Sequence, residues 1–177
     1  MVKKLMKFLA YLLFFVVALA MFMPKSSFYF LLEENLKKFN VVVSNEELSS
    51  DIFSLYIHNL ELTTKGIDSA LIKEADVTLL VFYNHLALRD IQLSSIIEAY
   101  APSKVKNLDV KYSVINPLEV ELEASGEFGK VYGTFNIQTR SLELSLKPSK
   151  KMLREYKKTM RFLKKSENGE YIYAKTF

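Results

Sequence analysis

Apolar side chains recur at every second position through residues 41–146 of this 177-residue chain. The alternation is clear at Phe53, Leu55 and Ile57, with Ser54 and Tyr56 between them. Further runs on this period are Leu60 and Leu62; Val77, Leu79, Val81 and Tyr83; Leu86 and Leu88; Ile91 and Leu93; Leu108, Val110 and Tyr112; Leu118, Val120 and Leu122; and Leu142, Leu144 and Leu146. A period of two is typical of strands that bury one face. Because short turns and no helical pattern separate the runs, the sequence predicts a mainly β fold, an antiparallel meander that is either curled or sandwich-like.

An uncharged stretch at residues 8–23 precedes this region, between Lys7 and the Pro24-Lys25 pair. A membrane-spanning helix needs about 20 apolar residues, and flanking lysines can extend a slightly shorter run by reaching the interface. More lysines precede the stretch than follow it, so the positive-inside bias places the N-terminus in the cytoplasm. We therefore predict a transmembrane anchor at residues 1–25 that contacts the lipid bilayer through residues 8–23.

Two other interpretations of this stretch stay open. Ala18-Leu19-Ala20 fits the small-x-small pattern of a signal-peptide cleavage site, which would also export the remainder of the chain. A buried core helix is the third interpretation, although such helices seldom begin with a cluster of lysines. We favour the retained anchor because the apolar run continues past the cleavage pattern.

Residues 26–40 change to a helical period, with Ser26 or Ser27 as a candidate cap. The apolar positions are Phe28, Leu31, Leu32, Leu36 and Phe39, and the polar face carries Glu33, Glu34, Lys37 and Lys38. Each Glu precedes a Lys by four residues, which is the favourable orientation for ion pairs on a helix. The pattern predicts a membrane-proximal amphipathic helix that either covers one end of the sheet or lies on a membrane surface.

Residues 147–177 are predicted to form a basic amphipathic helix, capped by Ser149, and a short terminal strand. Its apolar positions are Met152, Leu153, Tyr156, Met160 and Leu163. Its basic residues are candidates for binding a membrane or a partner, and they are Lys150, Lys151, Arg154, Lys157, Lys158, Arg161, Lys164 and Lys165. We favour a helix packed on the sheet with solvated lysines, while contact with anionic lipid or with an acidic partner stays open.

The composition excludes several kinds of chemistry. The chain has no Cys, so disulfides, thiolate catalysis and Cys-ligated metals are absent. The net charge of +4 is small, and it divides into basic residues 1–25, an acidic region at residues 26–146 and a basic segment at residues 147–165. This distribution is unlike that of a dedicated nucleic-acid binder, so we expect no nucleic-acid partner.

Residues with catalytic or metal-binding chemistry are sparse. His58 and His85 have no second His or carboxylate at a recognisable ligand spacing, so we expect structural or surface roles for them. Glu119, Glu121 and Glu123 alternate along one predicted strand, where neighbouring carboxylates lie about 7 Å apart. This spacing favours a solvated face over a cation site. No catalytic or phosphate-binding motif is present, and we predict no enzyme activity, no cofactor and no metal site.

Residues 54–94 resemble the AsmA-type pattern, with an alternating strand, a turn at Lys65-Gly66-Ile67, a long strand and a returning run from Leu86 to Leu93. The organisation is similar to that of the type II secretion system protein N family, which has an apolar N-terminal segment, a membrane-proximal helix and a meander. The closing section, residues 142–148 followed by a helix and residues 169–173, also resembles that family, although this chain is shorter than the usual member. The resemblance implies a single-pass bacterial inner-membrane protein with a periplasmic β domain and no catalytic residues.

Two functions follow as expectations. The first is an accessory or structural component of a type II secretion or related pilus-like envelope machine, with other envelope proteins as partners. The alternative is a lipid-handling protein, because AsmA-like and lipopolysaccharide-transport sheets can form an apolar groove that takes a lipid ligand. The two differ in whether the apolar face of the sheet is covered, which is decided by Phe53, Leu55, Val77, Leu79, Val81 and Leu88.

Overall fold

The computed structural model describes residues 2–22 and 24–177, without the side chains of Val2, Ala20, Ser26 and Phe28. Met1 and Met23 lie outside the described residues. The apolar contributions of Met23 and of the Phe28 side chain therefore lie outside them as well. The predicted helix cap at Ser26 or Ser27 is wrong, because the helix begins at Lys25 and both serines lie within it.

The N-terminal segment is helix α1 (Val2–Phe22). No helix among the described residues has both the length and the apolar character needed to cross a membrane. The predicted transmembrane helix is therefore wrong. Lys3, Lys4 and Lys7 lie in the first two turns, and the uncharged part of α1 that follows is shorter than the roughly 20 residues that a span needs.

Helix α2 (Lys25–Lys38) follows directly after Pro24, a residue that favours the start of a helix. Glu33 and Lys37 form the predicted ion pair at 2.7 Å. Lys38 instead donates a hydrogen bond to Asn35 Oδ1 at 3.0 Å. The buried Tyr29 and the partly buried Leu36 pack α2 against the sheet.

The remainder of the chain is mainly β, an antiparallel sheet of 11 strands. The strands are β1 (Val41–Ser44), β2 (Glu47–Ser50), β3 (Ser54–Thr64), β4 (Ile67–Leu79), β5 (Tyr83–Leu93), β6 (Lys104–Ser113), β7 (Glu119–Gly126), β8 (Gly129–Asn136), β9 (Ser141–Pro148), β10 (Lys164–Lys165) and β11 (Tyr171–Thr176). Strands β3 to β9 form a continuous meander, β11 pairs with β9, and β10 pairs with β11. At the other edge, β1 and β2 pair with successive halves of β3.

Two residues with left-handed backbone shift the alternation of buried positions in their strands by one residue. Asn59 in β3 has a φ of 56°, and Asp90 in β5 has a φ of 50°. In β3 the buried positions are Leu55 and Ile57 before Asn59 and Leu60 after it, so the apolar side chains stay on one face despite the change of parity. Asn and Asp tolerate this conformation better than other residues with a side chain.

The segments between strands contain α3 (Ser95–Glu98), α4 (Lys150–Glu155) and α5 (Lys157–Met160). Ser149 caps α4 as predicted, because its Oγ accepts a hydrogen bond from the Met152 amide at 3.1 Å. The prediction of a single basic C-terminal helix is wrong. Tyr156, with φ −111° and ψ 38°, separates α4 from α5, and Lys164 and Lys165 form strand β10.

Candidate functional site

An apolar face runs across the whole meander. Directly opposed residues of neighbouring strands point to the same side of a sheet, so the strand register defines its rows. One row consists of Leu55, Val77, Leu86, Val110, Leu122, Gly133, Leu144 and Tyr173. The adjacent row consists of Ile57, Ala75, Leu88, Leu108, Ala124, Val131, Leu146 and Tyr171. Neither row contains a charged residue, so together they form a continuous apolar surface.

Helices cover the two ends of this face. At the β3 end, Tyr29 of α2 joins a core with Leu55 and Ile57, and Leu55 is only 2% exposed. At the β9 and β11 end, Met152 of α4 and Met160 of α5 are buried against Leu146. The helices that precede and follow the meander in the chain therefore cover the two ends of the apolar face.

The centre of the face is less covered. Leu86, Leu88, Val110 and Leu122 are all partly exposed. These four side chains belong to strands β5, β6 and β7, and they connect the two covered ends. We call this central part of the face the apolar trough.

A cavity of about 380 Å³ lies on the same face of the sheet, under α4 and α5. Its floor contains Val131, Leu144 and Leu146 of strands β8 and β9. Met152 and Thr159 lie on the helical side. This volume is within the range of about 300–1,000 Å³ found for small-molecule sites.

The cavity reaches across the sheet to the connection between β5 and β6. Leu93, Pro102 and Val105 line it there, far along the sheet from β9 and β11. Thr159 Oγ1 donates a hydrogen bond to the Tyr100 carbonyl at 2.6 Å, which joins α5 to this connection. The apolar face is therefore concave, and the single hydroxyl of Thr159 is occupied by a protein partner.

The six residues chosen to distinguish a covered from an open apolar face differ in how exposed their side chains are. Leu55 is buried, while Val77, Leu79 and Leu88 are partly exposed and Phe53 and Val81 are exposed. The face is thus closed beside α2, where Val77 and Leu88 pack against the core, and it is open toward the strand ends.

The opposite face of the sheet is polar. His85, Arg89 and Asp109 form its main side-chain network, which joins β5 to β6. Arg89 donates two hydrogen bonds to Asp109, at 2.8 and 3.0 Å, and His85 Nε2 lies 3.0 Å from Asp109 Oδ1. The Arg89 guanidinium, with His85 contributing less, holds the pKa of Asp109 below its usual range. This His–carboxylate contact was missed from the sequence because 24 residues separate the two side chains.

Metal-binding chemistry has no site in the described part of the chain. No group of three His, Asp or Glu side chains there is close enough to hold a metal ion. Glu121 and Glu123 are exposed on the polar face of β7, and Glu119 is partly exposed. The carboxylates that sequence analysis assigned to a solvated face thus lie on the side of the sheet away from the apolar trough.

The eight basic candidate residues do not share one helical face. Lys151 pairs with Glu127 at 2.5 Å and lowers the pKa of that carboxyl group, and Arg154 contacts Glu155 at 2.6 Å. Six others are exposed, namely Lys150, Lys157, Lys158, Arg161, Lys164 and Lys165. These exposed residues lie on the segment that covers the cavity, and none of them lies in the apolar trough.

Comparison of the chain with protein-family models, with curated proteins and with solved structures finds no match. The resemblance to the type II secretion system protein N family therefore stays a prediction.

Proposed function

We propose that this protein is a non-enzymatic lipid-handling protein that holds an acyl chain on the apolar face of its sheet. The observation that carries the proposal is the cavity of about 380 Å³ whose lining comes from apolar side chains of both the sheet and the C-terminal helices. Apolar pockets of this size bind ligands mainly by removing apolar surface from water. A site without charged or free polar groups selects chains of methylene groups over polar ligands.

The shape of the apolar face supports a long ligand. The cavity lies on the same face of the sheet as the apolar trough, where Leu86, Val110 and Leu122 remain partly exposed. An extended acyl chain can lie along such a face, while a compact apolar ligand would use the cavity alone. Each buried methylene contributes about 0.8 kcal/mol, so a chain that occupies both regions binds more tightly.

A titration with a fatty acid that carries a nitrobenzoxadiazole fluorophore tests this function. Val131→Trp places a large side chain in the cavity, and Lys130→Trp places the same side chain on the opposite face of β8. We expect the wild type and Lys130→Trp to bind the probe alike, and Val131→Trp to bind at least about tenfold more weakly, which corresponds to about 1.4 kcal/mol.

Thermal unfolding of both variants shows whether they are folded, and Thr159→Phe blocks the cavity from its helical side if Val131→Trp does not fold. Absence of saturable binding by the wild type contradicts the proposal. Equal binding by a folded cavity variant and by Lys130→Trp also contradicts it.

A second candidate is the structural component of a secretion or pilus-like machine that the sequence predicts. The exposed basic side chains of Lys157, Lys158 and Arg161 favour it, because they form a surface suited to an acidic protein partner. The triple change of these residues to Glu should leave the unfolding temperature unchanged and remove co-purification of an acidic partner. Unchanged co-purification would contradict this role.

The location at the bacterial inner membrane and in the periplasm stays a prediction.

A further inference from the structure

One end of the sheet is lined by exposed apolar side chains. The turns at this end lie before β3, between β4 and β5, between β6 and β7, between β8 and β9, and after β11. Their exposed apolar residues are Ile52, Phe53, Val81, Phe82, Val114, Ile115, Leu118, Ile137 and Phe177. We call this set the apolar rim. Ile115 at its centre is 93% exposed.

Backbone hydrogen bonds join the turns of the apolar rim to their neighbours. The Val114 amide donates to the Phe82 carbonyl at 3.1 Å, and the Ile137 amide donates to the Leu118 carbonyl at 2.8 Å. The Phe177 amide donates to the Arg140 carbonyl at 3.0 Å. The turns therefore form a line along the strand ends, about 35 Å long for eight strands. Exposed apolar side chains that are grouped in this way mark a candidate interaction site.

The apolar rim is itself uncharged, although Glu119, Arg140 and Lys175 lie beside it at the strand ends. Asp51 accepts hydrogen bonds from the amides of Phe53 and Ser54, at 2.8 and 2.6 Å, so its carboxylate is engaged within the turn. These backbone bonds, with a smaller contribution from Lys25, lower the pKa of Asp51. The opposite end of the sheet carries the exposed lysines of residues 150–165, together with exposed apolar side chains such as Ile96 and Tyr100.

Helix α1 meets the folded part of the chain at the apolar rim. Lys25, the first residue of α2, is 6% exposed. It lies close enough to Asp51 to help lower the pKa of that carboxyl group. Helix α1 ends at Phe22, three residues before Lys25, and its large apolar side chains, such as Leu9 and Phe14, are exposed. Two exposed apolar surfaces thus adjoin each other at the same end of the molecule.

We infer that the apolar rim docks on the surface of a phospholipid bilayer and inserts its turn side chains at the interface. A lipid surface covers a line of separate turns and the adjoining α1 without a matching shape, whereas a protein partner would need a complementary groove along the whole line. Apolar side chains of interfacial elements enter the boundary between head groups and acyl chains by about 5–10 Å. The inference does not depend on acyl-chain binding in the apolar trough.

Because the chain contains no Trp, single-Trp variants of the full chain report on chosen positions. Ile115→Trp and Phe82→Trp place the fluorophore on the apolar rim. Tyr100→Trp is the matched control, since Tyr100 is 65% exposed and lies at the opposite end beside α5. Each variant is mixed with vesicles of phosphatidylcholine and phosphatidylglycerol that carry nitroxide quenchers near the head groups.

We expect both rim variants to shift their emission to shorter wavelength and to lose roughly half or more of their intensity, because the side chains reach the depth of the quencher. Tyr100→Trp should keep its emission. Quenching of Tyr100→Trp without quenching of the rim variants would show that the basic end faces the lipid and would overturn the inference. Vesicle binding without quenching of the rim variants would overturn it, as would absence of vesicle binding. A blue shift that depends on protein concentration in the absence of vesicles would show that the apolar rim binds a second copy of the chain, and it would overturn the inference.

Discussion

Asp109 joins two strands of the polar face through Arg89 and His85. Because Arg89 lowers the pKa of Asp109 in the folded protein, the ionised carboxylate stabilises the fold above its unfolded pKa of about 3.9. This contribution is lost as the pH falls through the folded-state pKa. We expect Asp109→Asn to lower the free energy of unfolding by about 1–3 kcal/mol at pH 7, and this difference from the wild type to shrink below about pH 4.

Urea unfolding at several pH values measures this effect. Glu123→Gln is the matched control, because Glu123 lies directly opposite Asp109 on β7 but is exposed. It should change the free energy of unfolding by no more than about 0.5 kcal/mol. A pH-independent loss in Asp109→Asn would show that the carboxylate charge does not supply the stability.

At the scale of elements, the short helix α4 packs on the sheet through one of its sides. Met152 is buried against Leu146, whereas its neighbour Leu153 is 43% exposed. We expect Met152→Ala to lower the free energy of unfolding by about 2–5 kcal/mol, because it leaves a void beside the cavity. Leu153→Ala should cost less than about 1 kcal/mol, and denaturant unfolding separates the two. Equal losses would contradict the packing of α4 described here.

The sequence predicted the strands of the meander better than the elements at its ends. Burial of one face gives strands such as β7, with Val120 and Leu122, a period of two that can be recognised without knowing their partner strands. The break at Tyr156 could not be read from spacing, since Met152, Tyr156 and Met160 fit one helix. Lys164 and Lys165 fit the polar side of that helix, but pairing with β11 places them in a strand. Long-range pairing thus overrode the local pattern.

At the scale of the whole molecule, the apolar trough and its cavity depend on the curvature of the sheet. Alternation places Val105 and Val131 on the buried side of their own strands. It does not show that both line one cavity beneath Met152, because that requires the register of the intervening strands. The sequence suggested a lipid groove as an alternative, and our proposal assigns that groove to the concave face.

The molecule has two different ends and two different faces. The apolar rim lies at one end and the exposed lysines of the C-terminal segment lie at the other. The polar face carries the Asp109 network, and the opposite face carries the apolar trough. A lipid that leaves a bilayer at the apolar rim would meet the exposed Phe53 and Val81 before it reaches Leu86 and Val110 of the apolar trough.

The central claim is that the apolar face holds an acyl chain. Its most direct measurement is native mass spectrometry of the purified wild type after incubation with phospholipid, beside Val131→Trp and Lys130→Trp. We predict an added mass of one phospholipid on the wild type and on Lys130→Trp, and its loss from Val131→Trp. Lipid-free spectra for the folded wild type, or equal lipid retention by all three proteins, would contradict the claim.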